Sequence, residues 1–376
     1  MSDHSIPANS SFQLSLIVTE KCNLNCGYCF CDKSMNRSMS LSTARSLIGK
    51  ALAEHSGSIE TLNILLIGGE PFLEFPLIRD LVTWVRETYP EKKIKFKAVT
   101  NGTLVHGEIQ EWLINNSDLF TAELSLDGTE EDHNNYRSGS FDSIDFAFFR
   151  NKLSNPVVNT VISPATLDHM ADNIISLAET GFRIKAVLAD GVDWASHEPS
   201  GRLGTQMMKL IDFYLNSPEL YPFNLLSLAT WAVNDPGAVT ACLPGINSIA
   251  ADTDGNTLAC HRCSSFYNTG KWKIPPDNIS MQKTEHLSEA CLKCCIRHLC
   301  HSCPASVASI KNDALQSRTS CLMSKVLFMA NAFFHLKLLT GNPGHIFLRH
   351  RSQAQKKAML AGSKIILDKL NPDVPF

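Results

Sequence analysis

SFQLSLIVTEKCNLNCGYCFC, residues 11–31, carries the decisive pattern of the chain. Its first half, residues 12–18, is a short run of mainly apolar residues, the pattern of a buried strand. Its second half gathers Cys22, Cys26 and Cys29 on one short loop, spaced x3 then x2. Three thiolates so placed can wrap around one point, and zinc and iron–sulfur clusters both accept thiolate. Structural zinc favours four ligands arranged in pairs, whereas this spacing supplies three. A cube of four irons held by three cysteines keeps one iron open for a small molecule. Cys31 stands one residue beyond Cys29, an awkward spacing for a fourth ligand, and reads as a spare buried thiol.

Working outward, the apolar run repeats. Residues 61–67, 94–100, 121–126, 157–162 and 183–188 are short, rich in Ile, Val, Leu and Thr, and mostly bounded by Gly, Asn, Pro or Asp. Each predicts a strand. Between the strands, residues 41–54, 76–88, 107–115, 140–152 and 167–180 carry amphipathic helical patterns. Ser40 or Ser42 would cap the first helix, and Gly181 would end the last. Six β-α repeats with buried strands predict an α/β fold, a parallel sheet with helices outside, open or rolled towards a barrel. In either form chemistry belongs at the C-terminal ends of the strands, where the cysteine loop falls.

Beyond about residue 190 the alternation is lost, Pro, Gly and Asn recur, and cysteine pairs appear. A region so poor in periodicity would need metal crosslinks to keep its shape. Residues 323–339 return to helical periodicity with Leu, Phe and Met, as a core-packing helix does. The basic residues of the stretch 345–357 read as solvated surface.

The 376 residues include 34 basic and 37 acidic side chains, for a net charge of −3. That balance makes no electrostatic case for nucleic acid as a partner. With 44% hydrophobic and 19% charged residues, the chain can bury a sizeable core. No apolar run approaches the roughly eighteen residues a membrane helix needs. Asp3 and His4 stand where a secretory peptide would be basic. A soluble, cytoplasmic protein with no membrane partner is expected. Of 13 cysteines, four lie between Cys22 and Cys31, none in the next 210 residues, and nine between Cys242 and Cys321. Clustering of this kind without a signal peptide points to metal chemistry rather than disulfides, in two units.

The strand ends add companions. Residues 66–71 read LIGGEP, in which Gly68 and Gly69 permit close backbone approach and Glu70 offers an acceptor to a cation. A Gly-Gly turn with a solvated glutamate is the plain alternative. The third strand ends in Thr100-Asn101-Gly102 and the fourth in Ser125-Leu126-Asp127-Gly128. With Tyr28 before Cys29, the CxxxCxxC loop resembles the signature of the radical S-adenosylmethionine enzymes, which place it after the first strand of a partial (β/α)6 barrel. The resemblance implies a 4Fe-4S cluster on Cys22, Cys26 and Cys29, with S-adenosylmethionine bound beside Tyr28. It implies Gly68, Gly69 and Glu70 at the methionyl ammonium and Ser125 at the ribose or methionine part. Asp127 would join Ser125 or only shape the turn. Arg137 would fork the methionyl carboxylate or serve a structural ion pair, and Asn159 would reach the ribose.

The second cysteine set reads Cys242-x12-Gly255-x4-Cys260, Cys263, then Cys291-x2-Cys294-x5-Cys300-x2-Cys303 and Cys321. It resembles the SPASM extension of the same enzymes, although the family usually has three residues between the last pair, where two stand here. The resemblance implies two auxiliary 4Fe-4S clusters, three clusters in all. One would take Cys242, Cys260, Cys263 and Cys303, with an open iron if Cys263 is not a ligand. The other would take Cys291, Cys294, Cys300 and Cys321, leaving Cys31 and Cys295 surplus. A zinc ribbon on Cys291, Cys294, Cys300 and Cys303 is the alternative. His298 and His301 read as incidental to the loop. The expected domains are the barrel at 1–215, the SPASM domain at 216–322 and a helical tail at 323–376.

SPASM enzymes typically modify peptides or proteins, so the resemblance implies a precursor peptide substrate and an electron donor such as flavodoxin or ferredoxin. The preferred expectation is an oxidative carbon–carbon crosslink of cyclophane type, with a thioether as runner-up. Formylglycine formation on a sulfatase is a further outcome. Its enzymes place an aspartate base after the Gly-x4-Cys cysteine, where this chain has His261. The radical motif begins about twenty residues in, which leaves no room ahead of it for a leader-binding domain. Leader recognition would then fall to a separate protein or to the barrel. A non-catalytic iron–sulfur electron carrier is the reading from another class.

Overall fold

The structure is a computed structural model and describes residues 10–55, 57–234, 245–267, 289–297, 299–300, 303, 306, 309–310 and 312–370. The chain divides into two compact units, neither continuous in sequence. The first comprises Met1–Leu126, His133–Pro156 and Cys242–Met281, and the second Asp127–Asp132, Val157–Ala241 and Gln282–Phe376. Among the described residues the strands are β1 (Ser10–Thr19), β2 (Ile59–Gly68), β3 (Lys93–Thr100), β4 (Phe120–Ser125), β5 (Val157–Ile162), β6 (Arg183–Leu188), β7 (Ser248–Ala251) and β8 (Thr257–Leu258).

In the first unit the strands lie in the order β4-β3-β2-β1-β7-β8, parallel except for the short antiparallel pair β7–β8. Leu14 sits beside Ile64, Ile64 beside Phe96, and Phe96 beside Phe120. All four are buried. One apolar row therefore crosses four strands, and a slip of one residue would turn it to the other face. Where the sequence predicts strands buried on both faces, only the central β1 has that burial for most of its length. Along β2 and β3 buried residues alternate with half-buried or exposed ones, and Lys93 and Lys97 of β3 pair with Glu60 and Glu123. Strands β7 and β8 were not legible in the sequence, because four and two residues are too few to show a period.

Helices close the turns between strands. Helix α1 (Leu41–Glu54) starts at Ser40, whose hydroxyl accepts from the Thr43 amide at 3.1 Å. Helix α2 (Phe75–Thr88) follows a 3-10 turn at Pro71–Glu74, and α3 is Glu108–Asn115. The expected helix at 140–152 resolves into a turn at Phe141–Ser143 and a helix at Phe146–Lys152. Asp145 restarts it by accepting from the Phe148 amide at 3.0 Å.

In the second unit β5 and β6 pair in parallel and the helix Met170–Glu179 connects them. The free side of β6 is occupied at Ala186 by the Asn224 carboxamide. Its oxygen accepts from the Ala186 amide at 2.6 Å, and its nitrogen donates to the Ala186 carbonyl at 2.9 Å. The helix Pro199–Asn216 lies in the region where the sequence showed no regularity. The expected core helix is present and longer than its periodic stretch, running Ala314–Gly341. It packs against Pro199–Asn216 and against the helix Gln353–Leu370. Contrary to the expectation that no apolar run has membrane-spanning length, this helix is long and apolar enough, with a mean hydropathy of 1.3 over its best window. Its apolar stretch is broken by Asn331 and His335, which hid it from inspection. Of that window 61% is buried within the chain, the burial of a core helix. Asn331 is itself satisfied there, accepting from the Leu228 amide and donating to the Leu225 and Leu327 carbonyls.

Candidate functional site

The cysteine loop leaves the end of β1 under several restraints. Glu20, buried, is forked by Arg37 at 2.7 and 3.0 Å, and Arg37 also reaches Asp254 at 2.8 Å. The Asn25 amide donates to Ser138 Oγ at 2.9 Å, and the Gly27 amide to the Tyr136 carbonyl at 2.9 Å. Lys33 Nζ donates to the Leu24 carbonyl at 2.7 Å, bridging the loop from its far side. Asn23 is tied to the loop after β3, accepting from Asn101 Nδ2 and donating to Thr103 Oγ1, both at 2.8 Å.

Held this way, the three expected ligands come together. Cys22 and Cys26 are half-buried and Cys29 is exposed. The charge of Cys29 opposes ionisation of both others. Burial pushes the Cys22 and Cys26 thiols up, while Lys33 favours both thiolates and Arg137 that of Cys26. Cys29 is pulled down to about 5, first by a hydrogen bond from the Cys31 thiol, and the same bond raises Cys31. Cys31 is thus engaged with the Cys29 sulfur, and it packs beside Ile17, Phe266 and Tyr267. Among the described residues no group of three His, Cys, Asp or Glu side chains closes to the distances of a single ion. The corners of an iron–sulfur cube hold thiolates further apart than one ion does. Three facing thiols with two cations nearby fit an anionic four-iron cluster.

Beside the loop, the glycine pair is set by crowding. Gly68 has φ +148°, and a Cβ there would lie 2.0 Å from the Thr19 carbonyl oxygen. A Cβ on Gly69 would lie 2.1 Å from the Lys21 carbonyl oxygen and 2.9 Å from Cys22 Cβ. The expected close approach is therefore to the chain's own backbone, and it seats the end of β2 against the cysteine loop. The Gly69 and Glu70 amides donate to the Thr19 and Lys21 carbonyls at 3.0 and 2.9 Å. Glu70 is 1% exposed. It is not the solvated turn residue of the plain alternative. Its carboxylate accepts from Thr100 Oγ1 at 2.8 Å, from the Asn101 amide at 2.7 Å and from the Phe72 amide at 3.1 Å. Burial still pushes it up to about 7, against those donors and Arg137. A cation arriving there would favour its charged form.

Arg137 is buried, with its guanidinium over the Tyr28 ring at 5.4 Å. Ser125, half-buried, ends β4. Asp127 is engaged in the turn: it accepts from the Val161 amide at 2.9 Å and Thr160 Oγ1 at 3.3 Å, and is buried. Asn159 is half-buried on β5.

The auxiliary residues divide between the units. Cys260 and Cys263 stand in the first, where the Cys263 amide donates to the Cys260 carbonyl at 3.0 Å. His261 between them is pushed down to about 4 by burial, and its ring meets Tyr267 edge-on at 5.2 Å. Tyr267 is kept protonated by its burial. Cys303 belongs to the second unit, and Cys242, His298 and His301 lie outside the described residues. Within the second unit, burial first raises the Cys321 thiol against the pull of Lys325, and Cys300, Cys291 and Cys294 add to the rise. Those four thiols are thereby brought together. Cys295 faces Cys294 with Lys325 and Lys369 nearby.

Several contributors escaped sequence reading. Thr100 and Asn101 were singled out as a strand end, but their role as donors to Glu70 was not read. Lys33 and Asn23 carried no pattern beyond nearness to the cysteines. Tyr267 was signalled only by the aromatic pair Phe266-Tyr267 shortly after Cys263.

Comparisons with known proteins bear on this arrangement. Residues 13–142 match the family described as 4Fe-4S single cluster domain. The chain is 28% identical over 183 residues to an uncharacterized protein of Methanocaldococcus jannaschii, covering 47% of this chain and 61% of that one. It is 25% identical over 185 residues to the radical SAM cyclopropyl synthase TigE of Paramaledivibacter caminithermalis, covering 44% and 38%. It is 29% identical over 149 residues to a cysteine-type anaerobic sulfatase-maturating enzyme of Clostridium novyi, covering 35% and 38%. The chain thus spans between about two fifths and three fifths of the length of these relatives. Among solved structures, anSMEcpe with bound AdoMet superposes with a TM-score of 0.68 at 20% identity, over 93% of this chain and 98% of that one. SuiB of Streptococcus suis bound to its precursor peptide SuiA gives 0.56 at 16% identity, over 83% and 77%. The chain thus has the fold of anSMEcpe and SuiB, and a Cys-rich region follows its β/α part.

Proposed function

We propose that this chain is a radical S-adenosylmethionine enzyme that oxidises a ribosomally made precursor peptide and leaves a side-chain crosslink, preferably carbon–carbon. The observation that carries the proposal is the meeting of three facing thiols with a buried glutamate at the adjoining strand end. Cys22, Cys26 and Cys29 would hold the radical cluster, and Glu70, Arg137 and the Gly68–Gly69 backbone the methionyl group. A cluster and S-adenosylmethionine held by these residues would supply radical chemistry for hydrogen abstraction. The chain's own part is positional. The Glu70 carboxylate, fixed by Thr100 and Asn101, would accept from the ammonium, and Arg137 would fork the methionyl carboxylate. Burial of Glu70 and Arg137 excludes water from their side of the site.

Cys291, Cys294, Cys300 and Cys321 would hold an auxiliary cluster, and Cys260 and Cys263 would contribute to another, to take the surplus electron of a net oxidation. A flavodoxin or ferredoxin in a reducing cytoplasm would supply the first electron, and a separate protein could present the leader. A carbon–carbon product is supported by the likeness to a cyclopropyl synthase. A thioether is the alternative. Formylglycine formation is supported by the likeness to the sulfatase-maturating enzyme of Clostridium novyi. Against it, burial leaves His261, at the position of the expected base, a weak proton acceptor.

The test is anaerobic reconstitution with S-adenosylmethionine and reductant, followed by mass spectrometry of a co-expressed peptide. Release of 5′-deoxyadenosine supports an enzyme, and intact clusters without it favour an electron carrier. Loss of a hydrogen pair from a peptide lacking cysteine excludes the thioether, and an aldehyde in place of cysteine or serine establishes formylglycine.

A further inference from the structure

The segment after Cys260 does more than carry two cysteines. It runs through Cys263 to Phe266 and Tyr267, both buried, and is stitched to the radical loop and to the glycine pair. The Phe266 carbonyl accepts from the Asp32 amide at 2.8 Å, one residue past Cys31. The Tyr267 ring lies 5.7 Å from the Phe30 ring, and the Arg262 guanidinium stands over that same Phe30 ring, 5.3 Å from its centroid. Cys31 and Ile67 pack against the same apolar cluster. Finally, the Tyr267 hydroxyl donates to the Gly68 carbonyl at 3.2 Å.

Gly68 and Gly69 have no side chain with which to fix themselves. Gly69 is held through its amide by Thr19, whereas the Gly68 carbonyl is held by Tyr267. The peptide between the two glycines is therefore oriented jointly by the radical strand and by the auxiliary segment. We propose that Tyr267 is a positioning residue that couples the Cys260–Cys263 turn to the methionyl-holding strand end. Iron bound by that turn then raises the affinity for S-adenosylmethionine without touching it. This role presupposes the S-adenosylmethionine pocket proposed above.

The experiment uses the full chain, reconstituted without air, and measures the dissociation constant for S-adenosylmethionine by equilibrium dialysis. Iron content and the electron paramagnetic resonance spectrum of the reduced protein are recorded in parallel. Tyr267→Phe keeps the ring and loses only the hydroxyl, so iron content should hold while affinity falls about fivefold, the worth of one hydrogen bond. The shift that S-adenosylmethionine induces in the spectrum should weaken with it. Cys260→Ala with Cys263→Ala should lose auxiliary iron and weaken binding in the parent chain, with little further loss on the Tyr267→Phe background. Wild-type affinity in Tyr267→Phe, or full multiplication of the two effects, would overturn the coupling alone. Absence of binding in the parent chain would overturn the proposed function and this role together.

Discussion

At the scale of single residues, geometry distinguishes side chains that look alike in sequence. Glu70 and Asp127 both follow strands and both sit beside glycine. Glu70 collects donors from the end of β3, whereas Asp127 is spent on the Thr160–Val161 backbone and hydroxyl. The spacing of Cys22, Cys26 and Cys29 was legible because local chain sets local geometry. The Thr100 and Asn101 contacts were not, since they form across 30 residues or more of sequence. Cys26→Ala is expected to abolish 5′-deoxyadenosine release while auxiliary iron stays bound; full activity would refute the ligand assignment. Gly69→Ala should drive a methyl into the Lys21 carbonyl, costing about 1–3 kcal/mol and displacing the loop. Iron assay should then show about four irons fewer per chain, and a full complement would show that the crowding is absorbed elsewhere. Cys295→Ala should change iron content little, and loss of about four irons would place it among the ligands.

At the scale of elements, strands β1 to β6 and the helices between them, except the short polar helix Glu130–Tyr136, followed from alternation and periodicity. The exceptions have local causes. Asp145 splits the segment at 140–152 by capping a fresh helix. Pro199–Asn216 escaped because it lies among breakers, with Pro199 at its first turn and Gly201 and Gly204 inside it. The Asn224 carboxamide at β6 could not be read at all, because it pairs 38 residues from its partner. It satisfies a strand edge that would otherwise invite another chain. Asn224→Ala should expose both Ala186 groups, destabilise by about 1–3 kcal/mol, and produce concentration-dependent association in light scattering. A monodisperse variant of unchanged stability would show that water serves that edge equally well.

At the scale of the molecule, the sequence conveyed a β/α first part and a cysteine-rich later part, but not how the parts share the chain. Residues 248–251 pair with β1 and join the first unit, a pairing between stretches more than 230 residues apart. Stability of the second unit carries a pH signature. His335 is 1% exposed, joined to Thr230 Oγ1 at 2.8 Å and stacked on Phe347. Burial first, and Arg351 second, push it down to about 3. A buried histidine held neutral contributes fully above its unfolded value near 6.5, and that contribution is lost as pH falls towards 3. From pH 6.5 to 5 the loss should be about 2 kcal/mol. Urea titrations at the two pH values should show it in the parent chain and show it reduced in His335→Gln. Equal losses in both would assign the acid sensitivity to other groups.

The hydrogen bond between Cys29 and Cys31 has a practical sequel. Stripped of iron in air, two neighbouring thiols would surrender two electrons and two protons to dioxygen and seal themselves as a disulfide. Such a preparation would refuse iron however much was offered, until a dithiol reopened the bridge. Recovery of loading after dithiothreitol, but not after sulfide and iron alone, would show a disulfide to be the block, and its disappearance in Cys31→Ala would place it at this pair.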